Sequence, residues 1–359
     1  MPKGIRIHTL GGRDDAQGHD GPLAGAPRIA MVDDKCTAAE DRLVVYSAVE
    51  KKHCMGLLDG FCKHHPGIEV EFRGGISVAL HERYLAEIAA GKPEADVLWS
   101  SAMDLQMGLV LAGRALPHRS PEAHALPEGA VYRDMAYATT VEPLVTLVNR
   151  DRFDVRIPAG SIAELTAALR SDPARFRGRL ASYDIERNGL GFLALLHESR
   201  RGAEFDAFMQ VLAECRPRVF ESNPELVAEV ASGRAALACH VLRSFALRAV
   251  RSNPVLAIAT TSTPPLAVSR VAFIANSAPH PNAAKLFLDY LLSRDGQQQL
   301  REAELFPIRS EPDARVPNGA NVVTPIRIDQ GCGELLDQER RRKLLRQWQA
   351  AVAGPGSSG

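Results

Sequence analysis

The sequence predicts an α/β protein with two lobes, and three observations carry that expectation. A chain of 359 residues exceeds the roughly 250–300 at which a single hydrophobic core stops growing. Short apolar runs alternate along it with amphipathic helical patterns, the arrangement that builds mixed sheets with helices on both faces. Near its middle, "VYRDMAYATTVEPLVTLVNRDRF" (residues 131–153) reads as a pair of strands in which Thr139, Thr140 and Glu142 form an extended stretch before Pro143, suited to a crossing between lobes.

Each element has a local reason. "RLVVYSAVEKKH" (residues 42–53) is a buried strand, Leu43 to Tyr46, that passes without Gly or Pro into a helix reaching about Phe61, with Met55, Leu57, Leu58 and Phe61 as its apolar stripe. Ser47 and Glu50 have capping-box spacing, the serine accepting from a first-turn amide while the glutamate reaches back. "IEVEFRGG" (68–75) is an alternating strand ending in a glycine pair, followed from about Ser77 by a helix carrying Leu80, Tyr84, Leu85 and Ile88. The scheme recurs with a short strand from Val97 to Trp99, then Ser100-Ser101, then a helix with Leu105, Leu109 and Val110 inward. Ser47, Ser77 and Ser100-Ser101 thus stand at successive strand-to-helix corners. Parallel strands bring such corners to one sheet edge, where helix amides favour anions. The plain alternative at each serine is a helix cap.

Residues 154–263 form a second α/β set. Ser161 and Glu164 make another capping box, "RLASYD" (179–184) is a strand, and "IERNGLGFLALL" is a glycine-containing turn into a helix. A further strand, "RVFES" (218–222), leads into the capping pair Ser222 and Glu225, and "ALACHVLRSFALRAV" holds a strand ending near His240 and a helix from about Ser244. From 264 the chain returns to the first lobe, with a strand from Val271 to Ala275 and a helix from Pro281 to Leu292. The expected organisation is a flexible leader over 1–41, lobe I over 42–140 plus 264–315, lobe II over 141–263, and a C-terminal helical segment over 316–353. That segment packs back on a lobe with its arginines in water, and 354–359 is a linker-like tail.

Composition excludes several functions. Lys plus Arg and Asp plus Glu number 43 each, which removes the broad basic field of a nucleic-acid binder. No apolar run approaches the ~20 residues of a membrane span, and the leader, though it carries Lys3 and Arg6, has no signal-peptide apolar core. Six cysteines lack C-x-x-C spacing. Cys54 and Cys62 lie about 12 Å apart on one helix, beyond disulfide reach. With His53, His64 and His65 they suggest a metal site, but "CKHHPG" reads more simply as a solvated helix end stopped by Pro66-Gly67. No metal and no cofactor is expected.

The ordered series "LVVYSAVE…HPGIEVEFRGG…AEIAAGKPEADVLWSSAMD" followed by "VAFIANSAPHPNAAKLFLDYLLSRDGQ" resembles the extracellular solute-binding proteins of ABC importers. The likeness spans roughly residues 42–310 and lies in the branch of ferric-iron binders, hexose-phosphate binders and the phosphoglycerate-transport regulatory protein. It implies a two-lobed periplasmic binding protein-like type II fold, hinged by two crossing strands and closing on its solute like a clamshell. It also implies a periplasmic location, an ABC permease as partner, and a monomer. Ferric-iron members place adjacent tyrosines before the helix that here begins "RSFALRA"; this chain has Cys239-His240-Val241-Leu242-Arg243 there, a poor set for hard ferric ion.

An organic anion, phosphate ester or carboxylate, fits the residues better. Ser47, Ser77, Ser100 and Ser101 would bind it from lobe I, Thr139 and Thr140 from the crossing, and Asn188, Gly189, Gly191, Ser222 and Ser244 from lobe II. Arg243, with Arg187 and Arg270, is a candidate clamp for the anion. The expected function is capture of a small anionic solute for import. The alternatives are ferric-iron binding, or sensing through a kinase ectodomain. Catalysis by Cys239 and His240 is not expected, because neighbours on a regular strand point to opposite faces.

Overall fold

Strand-helix repeats build the first of two sheets. The computed structural model describes residues 5–9, 40–309, 324–328 and 337–353. The chain opens with β1 (Ile5–Thr9), β2 (Arg42–Ser47), α1 (Lys51–His64), β3 (Glu69–Gly74), α2 (Ser77–Ala89), β4 (Val97–Ser100) and α3 (Met103–Leu111). Short strands β5 (Ala115–Leu116), β6 (Val131–Tyr132) and β7 (Ala136–Ala138) follow. The second lobe runs through β8 (Glu142–Asn149), α4 (Ile162–Ser171), α5 (Pro173–Phe176), β9 (Leu180–Tyr183), α6 (Gly189–Glu198), α7 (Ala203–Cys215) and β10 (Arg218–Phe220). It continues with α8 (Asn223–Ala231), β11 (Leu237–Leu242), α9 (Arg243–Ser252), β12 (Leu256–Ile258) and β13 (Leu266–Val268). The chain then re-enters the first lobe with β14 (Val271–Ala275), α10 (Pro281–Leu292) and α11 (Arg294–Glu302), and ends in β15 (Thr324–Pro325) and α12 (Gln338–Ala353).

The first sheet has the order β1-β3-β2-β4-β14-β7-β6, with β5 also paired to β14. Strands β1 to β4 are parallel and β14 runs against them. The second sheet has the order β10-β9-β11-β8-β13-β15, with β12 beside β8. Alternation along the first-sheet strands sends Leu43, Val45, Phe72, Val97 and Trp99 into one core with Leu57, Leu58, Phe61 and Phe287. Val44, Tyr46 and Leu98 face the other way, into the core that holds Leu80, Tyr84 and Met107.

Several expectations change. Ser47 does not cap α1: it is the last residue of β2, paired with Gly74 and Trp99, while Glu50 occupies the N-cap position without a side-chain bond. The Ser47 hydroxyl instead accepts from the Val49 amide at 3.1 Å. Sheet pairing on both sides holds Ser47 extended, so the helix begins later. The Ser161–Glu164 box is present in full, and Ser222 accepts from the Glu225 amide. Leu85, placed on the inward stripe of α2, is exposed.

Residues 5–9 of the expected leader form β1 against β3, because the alternating "IRIHT" covers backbone that would otherwise be an open sheet edge. The remainder of 1–39 lies outside the described residues, as do 310–323, 329–336 and the tail 354–359. The return to the first sheet falls at Ser269-Arg270 rather than at 264, since β13 pairs with β8 in the second sheet.

The helix α12 packs on the second lobe through Leu344, Trp348 and Ala351. One of its arginines leaves the water: Arg341 stacks over Phe192 of α6 at 4.1 Å and donates to Asp104 of α3 at 2.7 Å. Asp104 is fully buried, so α12 braces the second lobe against the first. Gly189, at the start of α6, meets the same helix; a Cβ there would come within 2.8 Å of the Ala102 Cβ.

Candidate functional site

The site is built around the two crossings, at 139–141 and at 269–270. The Trp99 indole N–H donates to the Thr139 hydroxyl at 2.8 Å, and that hydroxyl donates to the Arg270 carbonyl at 2.8 Å. The Arg270 amide donates to the Thr140 hydroxyl at 2.9 Å. Both threonines are fully buried, so they join the crossings to each other and do not reach a solute. The Arg270 guanidinium is ion-paired with Glu142, whose other oxygen accepts from Ser244 at 2.8 Å. Burial pushes the Arg270 guanidinium down to about 10, still charged at neutral pH.

Above this hinge a cavity of about 340 Å³ opens between the lobes. Its first-lobe wall comprises Ala48 to Lys51, His53, Phe72, the Gly74-Gly75-Ile76-Ser77 corner, Ser101 and Leu305. Across from it stand Asn188, Leu190, Glu221 to Pro224, Leu242 and Phe245, with Arg270 at the base. On the first-lobe side, α1 and α2 begin with no side-chain cap and no acid in their first turn, whereas α3 has Asp104 there. The first turns of α1 and α2 therefore lack the side-chain partner that helix starts usually find, although the His53 amide donates to the Glu50 carbonyl at 2.9 Å.

Of the second-lobe helices at the cavity, α6 and α8 are capped internally, whereas α9 has no side-chain cap and no acid in its first turn. Asn188 accepts from the Gly191 amide at 2.7 Å and donates to the Glu221 carbonyl at 2.7 Å. Ser222 caps α8, and the Asn223 side-chain oxygen accepts from the Tyr183 hydroxyl at 2.6 Å and the Leu242 amide at 3.1 Å. The start of α9 has Glu142 beside Ser244.

Of the sequence-derived candidates, Ser77, Ser101, Asn188, Ser222 and Arg270 line the cavity. Ser100 lies behind them, donating to Ser77 at 3.1 Å and accepting from the Ala102 amide. Ser47 is fully buried, and Ser244 belongs to the hinge. Gly189 serves the contact between lobes. Gly191 lets α6 pack on β9, since a Cβ would fall 2.4 Å from that of Tyr183. Arg243 is buried with its guanidinium over Phe306 at 5.8 Å, and Arg187 is an exposed partner of Glu221, so neither lines the cavity.

Phe245 escaped the sequence reading, and His53 entered it only as a possible metal ligand and not as a cavity residue. Burial, aided by Arg248, pushes the His53 imidazole down to about 4, so it is neutral at pH 7. Its ring meets Phe245 edge-on at 6.3 Å, and the Arg248 guanidinium lies over the Phe245 ring at 4.7 Å from the centroid.

Cys239 and His240 lie elsewhere, lining a small cavity within the second lobe with Glu198 and Arg201. A register slip between Ala238 and Val241 places His240 at φ +57°, so the strand alternation expected there does not hold. Burial pushes the Cys239 thiol up to about 11 and the His240 imidazole down to about 4, leaving neither charged at neutral pH.

Two lobes, two crossings and a cavity between them define a clamshell binding protein. The model of the bacterial extracellular solute-binding proteins matches residues 47–298, and the chain belongs to that family. The family is extracellular, typically periplasmic, and membership implies binding a small solute and delivering it to an ABC permease. A substrate-binding protein of an ABC transporter from Agrobacterium tumefaciens is 27% identical, with a TM-score of 0.79 over 88% of this chain and 96% of that one. The fold is shared with AfuA from Actinobacillus pleuropneumoniae, solved with exogenous fructose-6-phosphate (19% identity, TM-score 0.71, covering 88% and 99%). It is shared too with iron-bound HitA from Pseudomonas aeruginosa (16% identity, TM-score 0.69, covering 86% and 99%). No curated protein sequence matches. No helix among the described residues is long and apolar enough to cross a membrane.

Proposed function

We propose that this chain captures a small organic anion, a phosphate ester or carboxylate, between its lobes and hands it to an ABC permease as a monomer. One observation carries the reading: α2 opens on the cavity with neither a side-chain cap nor a first-turn acid, and α1 opens beside it with Glu50 at its N-cap making no cap bond. Helix starts of this kind attract negative charge through their amides and dipoles. Solute held by both walls stabilises the closed form through its differential affinity for it.

Ferric ion is the competing cargo, because iron-bound HitA shares the fold. The cavity offers it the carboxylates of Glu50 and Glu221, but these already pair with Lys52 and Arg187. Native mass spectrometry of the purified protein, followed by thermal-shift screening with sugar phosphates, phosphoglycerates, carboxylates and ferric salts, tests the reading. A solute at a hundred times its Kd adds about 2.7 kcal/mol, a shift of several degrees in Tm. Stabilisation by organic anions is expected; stabilisation by ferric ion alone would overturn the choice.

A further inference from the structure

We infer that α12 is a strap that favours the closed clamshell, and that its ion pair from Arg341 to Asp104 is the latch. Both are positioning residues: neither lines the cavity, and the device is the same whichever solute the cavity takes.

The strap is anchored on the second lobe at two points. Leu344, Trp348 and Ala351 are buried where α12 packs along α7 and α6. Upstream, β15 pairs with β13 of the second sheet. Arg341, about one turn before Leu344, reaches the other lobe. Its guanidinium lies over the buried Phe192 ring of α6 at 4.1 Å and donates to Asp104 of α3 at 2.7 Å. Asp104 is fully buried, and its Oδ1 has no hydrogen-bond partner among the described residues. Burial pushes its carboxyl up, and the Arg341 charge opposes that push. Without Arg341 the closed form would hold a buried carboxylate lacking its cation, an arrangement far costlier than the intact pair. Opening removes that cost by returning Asp104 to water.

The pair also stands where the lobes touch. Gly189 of α6, next to the cavity residue Asn188, faces Ala102 and Leu105 on either side of Asp104. Separating α6 from α3 to open the cavity therefore breaks the pair or pulls α12 from its seat. A second ion pair, Arg251 with Glu304, also joins the lobes, but its arginine is mostly exposed, and exposed pairs contribute little. A solute that binds the closed form would feel the latch as a common factor in affinity, set by the fraction of closed molecules.

Small-angle X-ray scattering of the full chain without solute tests this. Arg341→Met should shift the open-to-closed ratio at least about tenfold toward open, read as a larger radius of gyration than the wild type. Arg251→Met should leave the radius unchanged. Asp104→Leu added to Arg341→Met replaces the pair with apolar bulk and should restore the compact form. Melting curves report folding of each variant; if Arg341→Met does not fold, Asp104→Asn is read in its place and should expand the protein in the same direction. A folded Arg341→Met, or in its place Asp104→Asn, with the wild-type radius would overturn the inference, as would a double variant as expanded as Arg341→Met alone.

Discussion

The two lobes solve the same local problem in different ways. In the second lobe, two of the helix starts that border the cavity are provided for from within, Asn188 capping α6 and Ser222 capping α8, while α9 has neither a side-chain cap nor a first-turn acid. In the first lobe, α3 has Asp104, but α1 and α2 have neither a side-chain cap nor an acid in their first turn. Capping contributes typically about 1 kcal/mol per helix, so leaving two starts uncapped on one cavity wall forgoes stability that a serine or aspartate would supply. The proposed function assigns charge to the first lobe and cover to the second.

The largest expected effect comes from breaking the hinge on which both lobes depend. Arg270→Met leaves Glu142 buried without its ion-pair partner and should cost about 3–5 kcal/mol in urea unfolding. Next is to erase the asymmetry by giving α2 a cap of its own. Ile76→Asp should raise stability by about 1 kcal/mol while lowering affinity for the anion at least about tenfold, since the new carboxylate occupies the solute's place. Calorimetry and denaturation would then move in opposite directions. The converse change, Asn188→Ala, should cost about 1 kcal/mol of stability and leave affinity for a bare anion unaltered. The finest effect is with pH. His53, ordinarily near 6.5 and pushed down to about 4 by burial and by Arg248, binds its proton more readily when unfolded or exposed. Its contribution is present above pH ~6.5 and is lost as pH falls toward about 4. His53→Gln should flatten that part of the stability profile.

Much of the fold was legible in the sequence because strand-helix alternation is a local pattern, repeated often enough to define both sheets. The cap at Ser161 was legible for the same reason. Ser47 carried the same capping signature, yet its state is fixed by pairing with Gly74 and Trp99, contacts that no short window reveals. The five residues of β1 lie in a weakly patterned stretch of sequence, and their role comes from covering the open edge of β3. At the cavity, Ser77, Ser101, Asn188 and Ser222 were legible because they stand at strand-to-helix corners. His53 and Phe245 stand in the first turns of helices from different lobes and meet only through the tertiary fold, so nothing in their spacing announces the contact. The crossing was visible as an extended stretch, but the binding of Thr139 and Thr140 to Trp99 and Arg270 depends on a second crossing some 130 residues away.

The most direct test of the division of labour is an amide-resolved NMR titration of the deuterated full chain with phenyl phosphate. The first-turn amides of α1 (Lys51 to His53) and α2 (Ser77 to Ala79) should show the largest downfield proton shifts, with the amides of α6 and α8 moving little. Saturable shifts centred on Gly189 to Gly191 or Asn223 to Glu225, with α1 and α2 silent, would contradict the account.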